Sequence, residues 1–299
     1  MGSISIDYAY AVPHFAGEGE AVSAGYMHAH PGGKGLNQTI ALARAGASVA
    51  HAGAVGSDGA RLVHMLDDEG ADVRHIERRD VPTGHAITQV TPEGCRLALL
   101  YPGANHELDE SLIERALGRF RENDILVLQN EVSCIEYAMI AAKAKKMRIA
   151  FNPSPMDGEV LRYPLEFVDW FVLDEAEGYC LTGQRSPEKI LECLGKKYPG
   201  ARAALALDDF GACCLFKGRA IRLGASEAPA VDAAAAMDAF AGYFASSLAD
   251  GKGIEDALRI AAAARSIAAS RHGAAPSIPA LDEVLSRALK PDEAERACA

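Results

Sequence analysis

Short runs of β-branched and other apolar residues alternate along the chain with longer stretches of helical periodicity, the pattern of a sheet covered by helices on both faces. Strands are predicted at 48–55, 125–128, 148–151, 170–173 and 203–207. The connections between them are long enough for helical crossovers, so the order predicts a doubly wound α/β fold with a mostly parallel sheet. After Gly35, residues Leu36, Ile40 and Ala43 keep helical spacing, and Gly46 stands where a left-handed C-cap would end that helix. The alanine-rich stretch 261–269 suits a helix packed closely on the sheet. One region breaks the rhythm. Residues 86–90 and 96–100 alternate on either side of Thr91-Pro92-Glu93-Gly94, which predicts a β-hairpin. With the extended, glycine-punctuated segment from about Tyr8 to His30, it predicts a small sheet standing off the main domain at about residues 8–30 and 82–103, either a lid over an active site or an ordinary surface hairpin. No internal repeat or low-complexity linker interrupts the chain, so one domain over 1–299 is expected.

The 299 residues, 49% hydrophobic and 24% charged, are enough for a sizeable core and exclude both a disulfide-dependent miniprotein and wholesale disorder. Thirty basic against 41 acidic residues give a net charge of −11, which argues against non-specific nucleic-acid binding. A local basic pocket for a phosphorylated ligand remains compatible with that sum. The seven cysteines (Cys95, Cys134, Cys180, Cys193, Cys213, Cys214 and Cys298) are odd in number and lack C-x-x-C spacing, so free thiols in a reducing compartment are expected. There is no basic segment followed by an apolar leader, and no apolar run of about 18 residues. A cytoplasmic protein without a membrane span is the expectation. The histidines, among them His28, His30 and His272, show no metal-ligand spacing, and none is assigned to catalysis.

The chemistry concentrates in His30-Pro31-Gly32-Gly33-Lys34-Gly35-Leu36-Asn37-Gln38, which leads directly into a helix. Its glycines let backbone approach a ligand, the helix start offers free N–H groups, and Lys34 and Asn37 add polar side chains one turn apart. Such a site suits a polyhydroxylated ligand. Walker A spacing is absent.

This string, followed by Ala45-Gly46-Ala47 and by Gly53-x-Val55-Gly56-x-Asp58-Gly59, resembles the N-terminal signature of the ribokinase-like (PfkB) family of sugar and nucleoside kinases. Further pieces fall in the family's order over nearly the whole chain. Gly2-Ser3-Ile4-Ser5-Ile6-Asp7 resembles the segment whose aspartate binds sugar hydroxyls, with Ser5 where an asparagine is usual. The resemblance places an apolar strand ahead of that segment, so either a start upstream of Met1 or another element in that strand's place is expected. Glu131 matches a position that reaches the sugar pocket, and Asn152-Pro153-Ser154-Pro155 resembles a strand-end motif. Asp174-Glu175-Ala176-Glu177 resembles an N-x-x-E stretch that organises magnesium and phosphate. In Asp232-Ala233-Ala234-Ala235-Ala236-Met237-Asp238-Ala239-Phe240, Asp238 matches the catalytic base, and Ala235, Ala236 and Met237 fall in the anion hole. Met237 replaces a glycine there, which places a side chain where the transferring phosphoryl group should approach. The nucleotide motif is altered to Ala206-Leu207-Asp208-Asp209-Phe210-Gly211, bringing carboxylates close to the polyphosphate. The C-terminal Gly273-Ala274-x-Pro276-Ser277 resembles the neighbourhood that, with Asp232 and Ala234, holds a monovalent cation.

The resemblance therefore implies transfer of phosphoryl from Mg-ATP to a hydroxyl of a free, ribose-like sugar, with potassium as a further cofactor and a homodimer formed through the lid. Ser5, Asp7, Gly32, Gly33, Lys34, Asn37 and Glu131 would bind the acceptor, which could also be a nucleoside. Asp174, Glu177, Ala206, Asp208, Gly211 and the turn at 235–237 would bind nucleotide and phosphate, with Glu177 at magnesium. The alternative is a weak or inactive sugar- or nucleoside-binding pseudokinase, because both the anion hole and the nucleotide motif depart from the pattern. An α/β scaffold with neither activity is the third reading.

Overall fold

The computed structural model describes residues 1–216, 219–224 and 231–288; Cys298 lies outside them. In chain order the elements begin with strands β1 (Ser5–Ala11) and β2 (Tyr26–Gly32), then helix α1 (Lys34–Arg44), β3 (Ala50–Val55), α2 (Ala60–Asp68) and β4 (Asp72–Arg78). A hairpin of β5 (Gly84–Val90) and β6 (Arg96–Tyr101) precedes α3 (Glu110–Leu117), β7 (Ile125–Gln129), α4 (Ile135–Ala144), β8 (Arg148–Asn152) and β9 (Trp170–Asp174). There follow α5 (Glu175–Thr182), α6 (Pro187–Lys197), β10 (Arg202–Ala206), β11 (Ala212–Phe216), β12 (Arg219–Leu223), α7 (Ala236–Ala249), α8 (Ile254–Ala269) and α9 (Leu281–Ala288).

The large sheet has the order β12-β11-β10-β9-β8-β7, parallel from β7 to β10 and antiparallel at β11 and β12. Its inner strands are nearly continuous apolar runs, as burial on both faces requires. One face packs Phe151, Phe171 and Leu128 against helices including α4 and α6. The other packs Trp170 against α7, with the Trp170 and Phe244 rings meeting edge-on at 5.1 Å. The doubly wound α/β architecture expected from the sequence is what forms. The alanine-rich stretch at 261–269 is the second half of α8, which packs against that same apolar layer.

Strands β3 and β4 pair in parallel as a separate ribbon. Met1 and Gly2 lie between it and the large sheet: the Gly2 N–H donates to Ala52 O at 3.1 Å, and the Met1 amino group to Val127 O at 3.1 Å. Beyond these two residues a cavity of about 220 Å³ separates β3 from β7. Met1 and Gly2 thus bridge the β3–β4 ribbon to β7 at the edge of the large sheet.

A third sheet, β2-β1-β5-β6, stands apart from the others. The hairpin predicted from residues 86–100 is β5 and β6, with Gly94 at φ +81° in its turn. The extended segment resolves into β1, antiparallel to β2 and parallel to β5. Strand β1 begins at Ser5, earlier than the expected lid boundary at residue 8, so Ser5 and Asp7 are carried by the lid sheet itself. Along β6 every residue is exposed, Leu97, Leu99 and Leu100 among them, and Ala98 and Leu100 also line a large cavity. No helix among the described residues is long and apolar enough to cross a membrane. The six cysteines described are free.

Candidate active site

Helix α1 starts immediately after two glycines whose conformation and space explain the motif. Gly33 has φ +94°, a region that side chains disfavour. A Cβ on Gly32 would fall 2.3 Å from the Asp7 carboxylate. The bare backbone therefore lets β2 close over Asp7 and deliver Lys34 at the helix start. Helix α7 meets α1 with equal closeness, because a Cβ on Gly242 would lie 2.4 Å from that of Ala41. This approach, one turn beyond Asp238, sets the base against α1.

Asp238 is 3% exposed. Its two oxygens accept from Asn37 Nδ2 at 2.9 Å and Gln38 Nε2 at 3.0 Å. Burial pushes its carboxyl up to about 6, opposed by Lys34 and by those two donors. Burial alone would lower the Lys34 ammonium, yet Asp238, Glu131, Glu177 and Asp174 together hold it above its ordinary value. Asp7 is raised by burial and by Glu131, against the attraction of His30 and Lys34. Glu131 accepts from the Lys34 N–H at 2.9 Å and from the Ser3 hydroxyl.

These groups face one cavity of about 440 Å³, whose wall includes Ser5, Asp7, Gly33, Lys34, Asn37 and Glu131 beside Asp238. Gly32 is buried behind Asp7 rather than on that wall. Asn37 Oδ1 is buried without a hydrogen-bond partner beside the cavity.

Several contributors escaped sequence reasoning. Asn105 exchanges two hydrogen bonds with the Ile4 backbone and donates to Ser5 Oγ, fixing the start of β1 across 101 residues of chain. Gln38 donates to Asn152 Oδ1 at 3.3 Å and accepts from Gln129 Nε2 at 2.7 Å. Asn152 Nδ2 in turn donates to both oxygens of Glu177, at 3.2 and 3.1 Å. A buried polar relay thus joins Asp238 to Glu177 through two amides. The adjacent amides Asn37-Gln38 at a helix start and the motifs at Asn152 and Glu177 were the visible signals, and none of them showed the connection.

Glu177 and Asp174 form a capping box at the start of α5. Burial, reinforced by the Asp174 charge, pushes the Glu177 carboxyl up to about 7. Ala206 is the register partner of Asp174 on the adjacent strand, so the altered motif lies beside this pair. Beyond it, the Asp208 N–H donates to Glu175 Oε2 at 2.7 Å and the Gly211 N–H to Asp209 Oδ1 at 2.9 Å. Asp232 accepts from the N–H groups of Ala234 and Gly273, both at 3.1 Å, drawing the two expected cation-binding segments together. The Ser277 hydroxyl is committed to Ala274 O.

Met237 is in the first turn of α7 with helical backbone, and its side chain packs against the apolar cluster of Phe240 and Ala241. It is absent from the wall of the large cavity. Among the described residues, no group of three or more His, Cys, Asp or Glu forms a ready metal cage.

The pfkB family carbohydrate kinase model matches residues 1–281. The ribokinase of Haemophilus influenzae is 30% identical over 295 residues, covering 95% of this chain and 96% of that protein. The crystal structure of ribokinase from Thermotoga maritima superposes with a TM-score of 0.85 at 31% identity, covering 95% of this chain and 96% of that one. Arabidopsis thaliana ribokinase, solved with ribose and ATP, gives 0.83 at 26% identity over 96% and 97% of the two chains.

Proposed function

The chain belongs to the pfkB family of carbohydrate kinases, and from that premise we propose that it transfers the terminal phosphoryl group of ATP to a hydroxyl of a free, ribose-like sugar. The observation that carries this reading is Asp238, a buried carboxylate on the wall of a cavity that also presents Asp7, Lys34 and Glu131. Asp7 accepts hydrogen bonds from adjacent sugar hydroxyls through the two oxygens of its carboxylate. The attacking hydroxyl gives its proton to Asp238 as its oxygen bonds to phosphorus. The bond from phosphorus to the departing nucleotide oxygen breaks, leaving ADP. A base held near 6 is ionised at neutral pH yet basic enough to take that proton. Lys34 and the free N–H groups at the start of α7 balance the charge that spreads over the phosphoryl oxygens.

The hard oxygen donors of Asp174 and Glu177 suit Mg²⁺, since a second like charge beside a carboxyl already pushed up to about 7 favours a cation. Bound there with water and phosphate, the ion would neutralise polyphosphate charge. Asp232, Ala234, Gly273 and Ser277 are assigned to a monovalent cation, K⁺. Leu97 at 51% and Leu99 at 67% exposure give the lid an outward apolar stripe, which supports a homodimer through that sheet. We treat the lid and the doubly wound body as one functional unit working in the cytoplasm.

The test is ADP release with ATP, magnesium and potassium against a panel of ribose, deoxyribose, other free sugars and nucleosides. Release that depends on a free pentose supports the reading; release with nucleosides alone redirects the substrate; binding of sugar without release with any acceptor favours the pseudokinase.

A further inference from the structure

Arg265 lies on α8 directly under the altered nucleotide motif and is 8% exposed. Its Nη1 donates to the Leu207 carbonyl, and its guanidinium carbon is 5.1 Å from the centre of the Phe210 ring. Phe210 holds φ +61°, a left-handed conformation that an aromatic residue keeps only when its surroundings impose it. The guanidinium therefore grips the loop at both ends of its tight turn, by a hydrogen bond at Leu207 and by ring contact at Phe210. Arg265 Nε is buried and has no partner. Four carboxylates, Asp174, Asp208, Asp209 and Glu175, act on this one cation and oppose the effect of its burial.

The two halves of this arrangement need each other. A buried guanidinium is costly unless carboxylates surround it, and carboxylates beside a polyphosphate site repel the ligand unless a cation balances them. Nothing in the nucleotide motif itself supplies that cation. We propose that Arg265 is a positioning residue for the nucleotide, fixing the 207–211 loop and cancelling the charge of Asp208 and Asp209 so that the phosphates of ATP are tolerated there. The inference rests on the reading of this cleft as an ATP site.

Calorimetric titration of ADP with magnesium, which needs no turnover, tests it. Arg265→Met keeps the apolar stem and removes the charge and the donor; it is expected to weaken ADP binding at least tenfold while leaving the KM for the sugar within twofold. Arg265→Lys should recover part of the affinity. Asp208→Asn should strengthen ADP binding far more in the Arg265→Met background than in the parent, because only there is the carboxylate uncompensated. Equal ADP affinity in the parent and Arg265→Met, with only a lowered Tm, would overturn the inference and leave the ATP reading intact. A parent that binds no ADP would overturn both. Should Arg265→Met fail to fold, the Arg265→Lys protein, alone and with Asp208→Asn, carries the same comparison, and affinities equal to the parent's contradict the proposal.

Discussion

The two ends of the proposed cleft, one around Asp7 and Asp238 and the other around the 206–211 loop, balance charge in different ways. Around Asp7, Glu131 and Asp238, carboxylates converge on Lys34 and on amide donors held by α1, so negative charge is met locally by groups that one short glycine-rich motif brings together. At the other end, Asp208 and Asp209 occupy a loop whose neighbouring side chain Glu175 is also acidic, and the balancing cation arrives from α8, more than 50 residues later in sequence. The difference teaches that a site can keep one half as a compact local motif and rebuild the other from distant parts. A departure in a motif then signals a change of partner as readily as a loss of chemistry.

The largest effect that would break this contrast is at the base. Asp238→Asn should lower turnover by about 10² to 10⁴ while sugar binding persists, because Asn keeps the shape and loses the proton acceptor. Steady-state ADP release with a sugar titration checks both halves of that statement. Next, Asp7→Ala should raise the KM for the sugar by roughly tenfold to a hundredfold, from the loss of charge-assisted hydrogen bonds. The affinity for ADP should not move, which separates the two ends directly.

Glu177→Gln acts at the join between them and reads out in stability. Since the folded carboxyl is raised from its ordinary 4.5 to about 7, its contribution is fully present below about pH 4.5 and is lost as pH rises through 7. The shift corresponds to roughly 3 kcal/mol. Removing the charge should flatten the decline of Tm between those pH values in the metal-free protein; an unchanged slope would place the titrating group elsewhere. The smallest effect is expected at Met237→Gly, which should cost about 1 kcal/mol of helix propensity plus some packing and leave turnover within threefold. A tenfold gain in rate would mean that the side chain does obstruct the phosphoryl group.

The legibility of these features followed how local they are. Strands β8 and β9 declared themselves because burial on both faces leaves continuous apolar runs, and the hairpin β5–β6 because Thr91-Pro92-Glu93-Gly94 interrupts a clear alternation. Lys34 and Asn37 were readable from the glycine-rich motif and Asp7 and Asp238 from the resemblance, and the fold brings the four to one wall. Gln38, Asn105, Asn152 and Arg265 were not, since each acquires its role from partners far away in the chain, such as Asp238 at 200 residues from Gln38. The direction of the Met237 side chain depends likewise on packing. A glycine replacement in a motif says that an atom has been added, and only the packing of α7 says in which direction it points.

The measurement that bears most directly on the account is the pH dependence of kcat/KM for the phosphorylated sugar's precursor, the free pentose, in the parent and in Asp238→Asn. The account predicts an acid limb in the parent, with activity falling below about pH 6 as Asp238 takes up a proton. In Asp238→Asn the residual rate should be lower by orders of magnitude, and that limb should be gone. A variant that keeps the parent's rate and the same acid limb would contradict Asp238 as the base.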